Sequence, residues 1–194
     1  TYALGRDVDA GATGTTGDVW ARASFIPIAR DADRFLGVFD GQGHTVAGLT
    51  INTGLLTHRP SPDFVGLFGV VGAGSILRNV GLVDVSIVGQ YAGALAGQNV
   101  GTVSNSYATG SVSGAQGAGG LVYLNVGTID ASYASAAVSG VTVAGGLVGA
   151  NYGNFADAIG LINNSHASGN VNGIALVGGL VGTNQAASII QGSY

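Results

Sequence analysis

Hydrophobic positions in this chain fall in short runs that glycine interrupts and that return at a near-constant distance. "VGLFGVV" (65–71), "GALAGQN" (93–99), "GGLVYLN" (119–125), "GGLVGAN" (145–151) and "GGLVGTN" (178–184) place Leu67, Leu95, Leu121, Leu147 and Leu180 in one column, at spacings of 28, 26, 26 and 33. Two extra residues before Asn79 and seven between Asn151 and Ser165 explain the longer intervals, so one period of 26 underlies them. Between these runs, "NSYATGSVSG" (105–114) returns as "ASYASAAVSG" (131–140) and "NSHASGNVNG" (164–173). No run is long enough for a helix, and Val, Ile, Thr, Ser and Tyr fill the gaps between glycines, which predicts short strands. Each unit reads as a Gly-flanked apolar strand, an Asn-Gly bend, a second strand "GTVSNSYA", a glycine turn and a third strand "SVSG". Three strands and three turns make one coil of a parallel β-solenoid, whose strands pair with their equivalents at about 4.8 Å. One coil cannot bury its inner face alone, so stacking is obligatory. The expected fold is therefore all-β, a right-handed parallel β-helix of about 26 residues per coil.

Columns carry more information than single residues. Asn99, Asn125, Asn151 and Asn184 recur where a coil bends, and stacked amides there are expected to bond each other and the backbone as a structural ladder. Ser106, Ser132, Ser165 and Ser193 form a second column that begins with Val80. Because Val80 and Leu82 stand where later coils have Ser and Ala, this parity is expected to face the narrow interior. The adjacent column, Gly81, Tyr107, Tyr133, His166 and Tyr194, would then face out. Tyr107, Tyr133, His166 and Tyr194 are candidate aromatic surfaces for a sugar or a protein; cross-strand stacking that merely stabilises the sheet is the competing explanation.

Residues 1–64 follow the unit poorly and are expected to form irregular first coils, with 65–194 as the repeats proper, the last coil truncated, and the whole one continuous domain. The turn-rich "NTGLLTHRPSPD" (52–63) reads as a protruding loop, and "FDGQGHTVAG" carries a tight-turn signature between two strands. The insertion 152–161, with Phe155, is a further candidate contact surface.

Composition narrows the function. Glycine accounts for 36 of 194 residues, charged residues are 8%, and the chain has no Cys, Met, Lys or Glu. With net charge −4 and no basic cluster, an electrostatic grip on nucleic acid or an anionic membrane has no source. Absence of Cys removes disulfides and thiolate metal sites. The most apolar stretch, 174–183, is Gly-broken and about half the length of a membrane-spanning helix, so no membrane insertion is expected. The start at Thr1, without a basic or apolar leader, suggests a processed product or an excised fragment.

The quoted runs, with "FDGQGHTVAGLTINTG" and "FVGLFGVVGAGSILRNVGLV" before them, resemble the GLUG-motif repeats of large exported bacterial proteins. Examples are filamentous-haemagglutinin-like adhesins and immunoglobulin-A-specific metallopeptidases. The resemblance covers roughly residues 35–194 and recurs five times; it departs at Tyr123, where the motif has Gly, and at "NYGNFADAIGLIN". It implies a non-enzymatic, β-helical stalk or adhesive segment of a secreted or cell-surface protein. The implied partners are a glycan or surface protein and the rest of a larger parent chain.

Catalytic chemistry finds little support. A helix-borne zinc peptidase site needs a Glu base, which is absent. His44, His58 and His166 lack a nucleophile elbow, and no cofactor motif occurs. A carbohydrate-active enzyme would need acids from different coils meeting in a groove, from among Asp31, Asp33, Asp40, Asp63 and Asp84. Asp7 and Asp9, with Asp18, Asp31 and Asp33 near in sequence, are weak candidates for calcium; solvated turn aspartates are the simpler explanation. A passive spacer remains the other alternative. Open solenoid ends expose strand edges, so end-to-end self-association is expected.

Overall fold

The computed structural model describes residues 1–15, 25–30, 33–53, 63–153, 159–185 and 187–194. The tip of the 52–63 loop, Phe155, Asp18, Asp31 and His58 lie outside them. Among the described residues the chain is all-β apart from short 3-10 turns such as Gly11–Gly14, and every strand pair is parallel. Three sheets form, and each gains its strands from successive coils, an arrangement consistent with a parallel β-solenoid.

The first sheet takes Tyr2–Ala3, Val38–Asp40, Ile76–Arg78, Thr102–Ser104, Thr128–Asp130, Leu161–Asn163 and Ile189–Gln191, in that order. The second stacks Phe68–Val71, Ala96–Asn99, Val122–Asn125, Val148–Asn151 and Val181–Asn184. The third contains the two longest strands, Gly81–Gly93 and Tyr107–Gly119, and shorter pieces before and after them. Pairings such as Thr102↔Thr128, Tyr107↔Tyr133 and Val122↔Val148 hold the 26-residue offset read from the sequence. At about 4.8 Å per coil, the seven strands of the first sheet span roughly 29 Å.

The strand assignment within a coil differs from expectation. "GTVSNSYA" is split by the corner at Asn105–Ser106, so its two halves belong to different sheets. Gly110, expected as a turn, lies inside the continuous strand Tyr107–Gly119. The bulge lies on the partner strand Gly81–Gly93, where Val83 and Asp84 (φ +52°) stand opposite Thr109 alone; Gly110, at φ +111°, pairs with Val85 just past it, so the register shift is absorbed without ending the strand. "FDGQGHTVAG" does carry a tight turn between two strands, Val38–Asp40 and Thr45–Ala47, and the turn forms a corner that places them in different sheets.

Insertions leave the stack intact because they sit at corners. The extra residues around Ala73 and Gly74 lie between Phe68–Val71 and Ile76–Arg78, and both flanking strands keep their partners. The 152–161 insertion leaves after Asn151 and returns at Gly160, whose carbonyl accepts the Asn151 amide at 2.9 Å.

The core is narrow and columnar. Leu77, Val103, Ile129 and Ile162 line the first sheet, Ile87, Val112 and Val138 the third, and Leu95, Leu121 and Leu147 the corner between third and second; all are buried. At the last coil the same columns open: Val177 is 45% exposed and Ile190 36%, where Ala144 and Ile162 one coil earlier are at 0%. In the first coils, Phe68 packs edge-on against Phe35 and Phe39 at 5.0 and 5.3 Å.

Candidate functional site

Two hydrogen-bond ladders fix the corners that present any surface site. Along the asparagine column, Asn99 donates to Asn125, Asn125 to Asn151 and Asn151 to Asn184, each at 2.8 Å. The first three are fully buried. Each second amide hydrogen reaches a backbone carbonyl, as from Asn125 to Gly127 at 3.1 Å, so burial leaves no donor stranded. The serine column lies inside, as its parity implied. Each hydroxyl donates to the carbonyl two residues before it, Ser106 to Ser104 at 2.8 Å and Ser132 to Asp130 at 2.8 Å. It also accepts the N–H of the preceding coil, from Val80, Ser106, Ser132 and Ser165 in turn at 3.1–3.2 Å.

A conformational column not read from the sequence stands just before those serines. Asn79, Asn105, Ala131 and Asn164 all have φ between +46° and +56°, and Gly192 has +57°. The left-handed residue turns the chain from first to third sheet. The available signal was Asn or Gly preceding the serine column, which Ala131 obscures.

Beyond that corner the aromatic column forms a continuous stack. Ring centroids of Tyr107 and Tyr133 lie 4.9 Å apart at 2°, Tyr133 and His166 5.1 Å at 7°, and His166 and Tyr194 5.3 Å at 10°. Tyr107, Tyr133 and His166 are half-buried, and Tyr194 is 81% exposed. Neighbouring rings cover each other's faces, so the interior rungs offer edges and polar tips to a partner. Burial pushes the Tyr107 phenol up, aided by the nearby charges of Tyr133 and Asp7.

The stack begins at Tyr107 because its register partner one coil back is Gly81, with Thr45 beyond. Here the surface opens into a cleft of about 420 Å³. Tyr107 and Gly81 line one side; Asp40, Gln42 and Gly43 come from the longer coil before, and Asn79 and Asn105 from the corners. A Cβ on Gly81 would stand 2.7 Å from the Tyr107 ring, so only glycine lets that ring lean over the strand. Asp40 accepts Arg78 Nε at 2.8 Å, Asn79 Nδ2 at 3.0 Å and the Gln42 N–H at 2.9 Å. The Asn79 amide first, then Gln42 and Arg78, hold its carboxyl below the usual carboxylate range.

A second aromatic group escaped the sequence. Tyr123 occupies the position that is Gly97 and Gly149 in the flanking coils. Its ring rests over Gly117, leaving no room there for a side chain, and stacks on Tyr91 at 4.9 Å, with Phe64 next to Tyr91 at 5.7 Å. Burial, with Tyr91 and Tyr152 adding, pushes the Tyr123 phenol up to about 12.

The weak metal candidates do not converge. Asp7 accepts the Thr45 N–H at 2.8 Å and faces His44 at 3.3 Å, while Asp9 accepts the Gly11 N–H at 2.9 Å. Thr45 first, then His44, hold the Asp7 carboxyl below its usual range. Among the described residues no three His, Asp or Glu side chains gather in a way that could hold a metal. The acids named for carbohydrate chemistry are dispersed in role: Asp40 is ion-paired, Asp63 is buried against Thr53 at 2.6 Å, and Asp84 forms the bulge. No helix among the described residues is long and apolar enough to cross a membrane.

Comparison with known proteins places these features in a context. Residues 88–113 match the family model for the GLUG motif, a span equal to one 26-residue period. The chain thus carries the GLUG sequence that its repeats resemble. It is 39% identical over 119 residues to Halomucin of Haloquadratum walsbyi, an alignment taking in 59% of this chain and 1% of that protein. It is 40% identical over 83 residues to a protein described as a Gly-rich membrane protein of Evansella cellulosilytica, covering 41% of this chain and 9% of the relative. The chain therefore spans a small part of the length of these relatives. No solved structure matches it.

Proposed function

We propose that this GLUG-bearing chain is a non-enzymatic structural segment of a secreted, surface-exposed repeat protein. It acts as a stiff, right-handed coil stack that extends its parent and uses the aromatic column as a contact surface for glycans or surface proteins. The observation that carries this is the pair of side-chain ladders running unbroken from coil to coil. The buried polar groups of the repeats are committed to stacking, and Asp7, Asp9, Asp40, Asp63 and Asp130 to bonds with neighbouring side chains or backbone N–H groups. Right-handedness follows from the strong bias of crossovers between parallel strands. The names of the two relatives, a halomucin and a membrane protein, support a place at the cell surface.

Single-molecule pulling tests the structural part. The stack is expected to resist extension and then yield in coil-sized steps, with Asn125→Ala lowering the yield force. The same variant should lower stability to urea by about 2–3 kcal/mol, since it strands buried partners in both neighbouring coils. Smooth extension at low force, or an unchanged Asn125→Ala, would contradict it. Retention of chain-coated beads on immobilised glycans or surface proteins separates a contact surface from the passive-spacer alternative, for which no retention is expected.

A further inference from the structure

The cleft at the foot of the aromatic stack has a shape and chemistry that the repeat itself does not require. Every coil from Tyr107 onward places a ring beside the corner; the coil of Gly81 places none, and the longer coil before it walls off the space with Gln42 and Gly43. The result is a recess bounded by the Tyr107 ring and otherwise polar. Gln42 and Asn105 are exposed, and their side-chain amides have no hydrogen-bond partner among the described residues. Asp40 and Asn79 are held rigidly by their mutual hydrogen bond and by Arg78; Asp40 Oδ1 already accepts from Asn79 and the Gln42 N–H, while Oδ2, bonded to Arg78, keeps further acceptor capacity.

We propose that this cleft is a binding subsite for one neutral pyranose residue of a glycan; the assignment rests on the contact-surface part of the function proposed above. A pyranose has an apolar C–H face that packs on an aromatic ring and a rim of vicinal hydroxyls. Tyr107 supplies the ring, and the planar carboxylate and amides of Asp40, Asn79, Gln42 and Asn105 supply paired donors and acceptors. The volume of about 420 Å³ falls within the range of small-ligand pockets. The sugar is neutral because the lining carries Asp40, with Asp7 near Tyr107, and the Arg78 guanidinium beside it is already engaged by Asp40. An aromatic guest would complete the stack equally well but would offer no partner to the amides of Gln42 and Asn105 that it covers, which costs binding energy.

The test is a titration of the isotope-labelled chain with the methyl glycosides of glucose, galactose, mannose, N-acetylglucosamine and glucuronic acid, read by amide chemical shifts. At least one neutral glycoside should move the resonances of Gly43, Gly81 and Asn105 together, with the glucuronide at least about tenfold weaker. Tyr107→Ala should weaken binding at least about tenfold, as should Gly81→Ala, whose methyl displaces the Tyr107 ring. Asn105→Ala, at an exposed corner, should weaken it several-fold while leaving the fold intact, and Tyr194→Ala at the far end of the stack should leave it unchanged. The proposal is overturned if no neutral glycoside moves these amides, if the shifts cluster elsewhere, if the glucuronide binds as well, or if Asn105→Ala binds like the parent. Bead retention on surface proteins without any glycoside shift would sink the subsite and leave the structural function standing.

Discussion

At the scale of a residue, Ala131 is the weak point in a column that otherwise suits its conformation. Its φ is +46°, where Asn79, Asn105 and Asn164 use an amide-bearing residue and Gly192 no side chain at all. A left-handed backbone costs an ordinary L residue about 1–2 kcal/mol, and Asn tolerates it better. Ala131→Asn should therefore raise stability by about 0.5–1 kcal/mol in urea unfolding; an unchanged or lower midpoint would contradict the assigned strain. Tyr123 gives a second residue-level expectation. Its phenol titrates near 12 in the fold against an ordinary 10.0, so the folded state binds that proton more tightly than the unfolded one. Its contribution to stability is intact below pH 10 and is lost as pH rises towards 12. Absorbance titration should show one late tyrosine that reverts to ordinary behaviour on unfolding, and Tyr123→Phe should flatten the alkaline fall in stability. The asparagine and serine columns were legible because the same residue recurs at the same period. The left-handed column was not, because what recurs there is a conformation shared by Asn, Ala and Gly.

At the scale of the coil, the period and the inward parity were readable while the strand limits were not. Periodicity reports which residues stack, and Val122↔Val148 or Thr102↔Thr128 follow from it directly. It says nothing about where a coil bends, because glycine serves corners, bulges and close approaches alike. Gly110 sits inside a strand opposite the bulge at Asp84, Gly81 makes room for a ring, and Gly117 lies beneath Tyr123. Tyr123 itself stood out in the sequence as a departure from the motif. Its use became visible only when Tyr91, one coil back, was brought under its ring at 4.9 Å. The aromatic column was likewise legible as a stripe. Its cleft was not, since Asp40 and Gln42 come from a coil outside the 26-residue period.

At the scale of the molecule, the central claim is that successive coils stack in parallel, each residue beside its equivalent 26 positions on. The chain has no cysteine, so engineered pairs can report that register without background. Thr102 and Thr128 are register partners on the first sheet, with a Cα separation of about 4.8 Å, inside the range a disulfide spans. Thr102 and Asp130 are offset by two residues, about 8 Å apart, and beyond that range. Under mild oxidation the double variant Thr102→Cys with Thr128→Cys should form an intramolecular disulfide and retain the β circular dichroism spectrum, while Thr102→Cys with Asp130→Cys should stay reduced. A disulfide in the second pair and none in the first would mean that the coils do not stack in this register, and the ladders, the aromatic column and the cleft would fall with it.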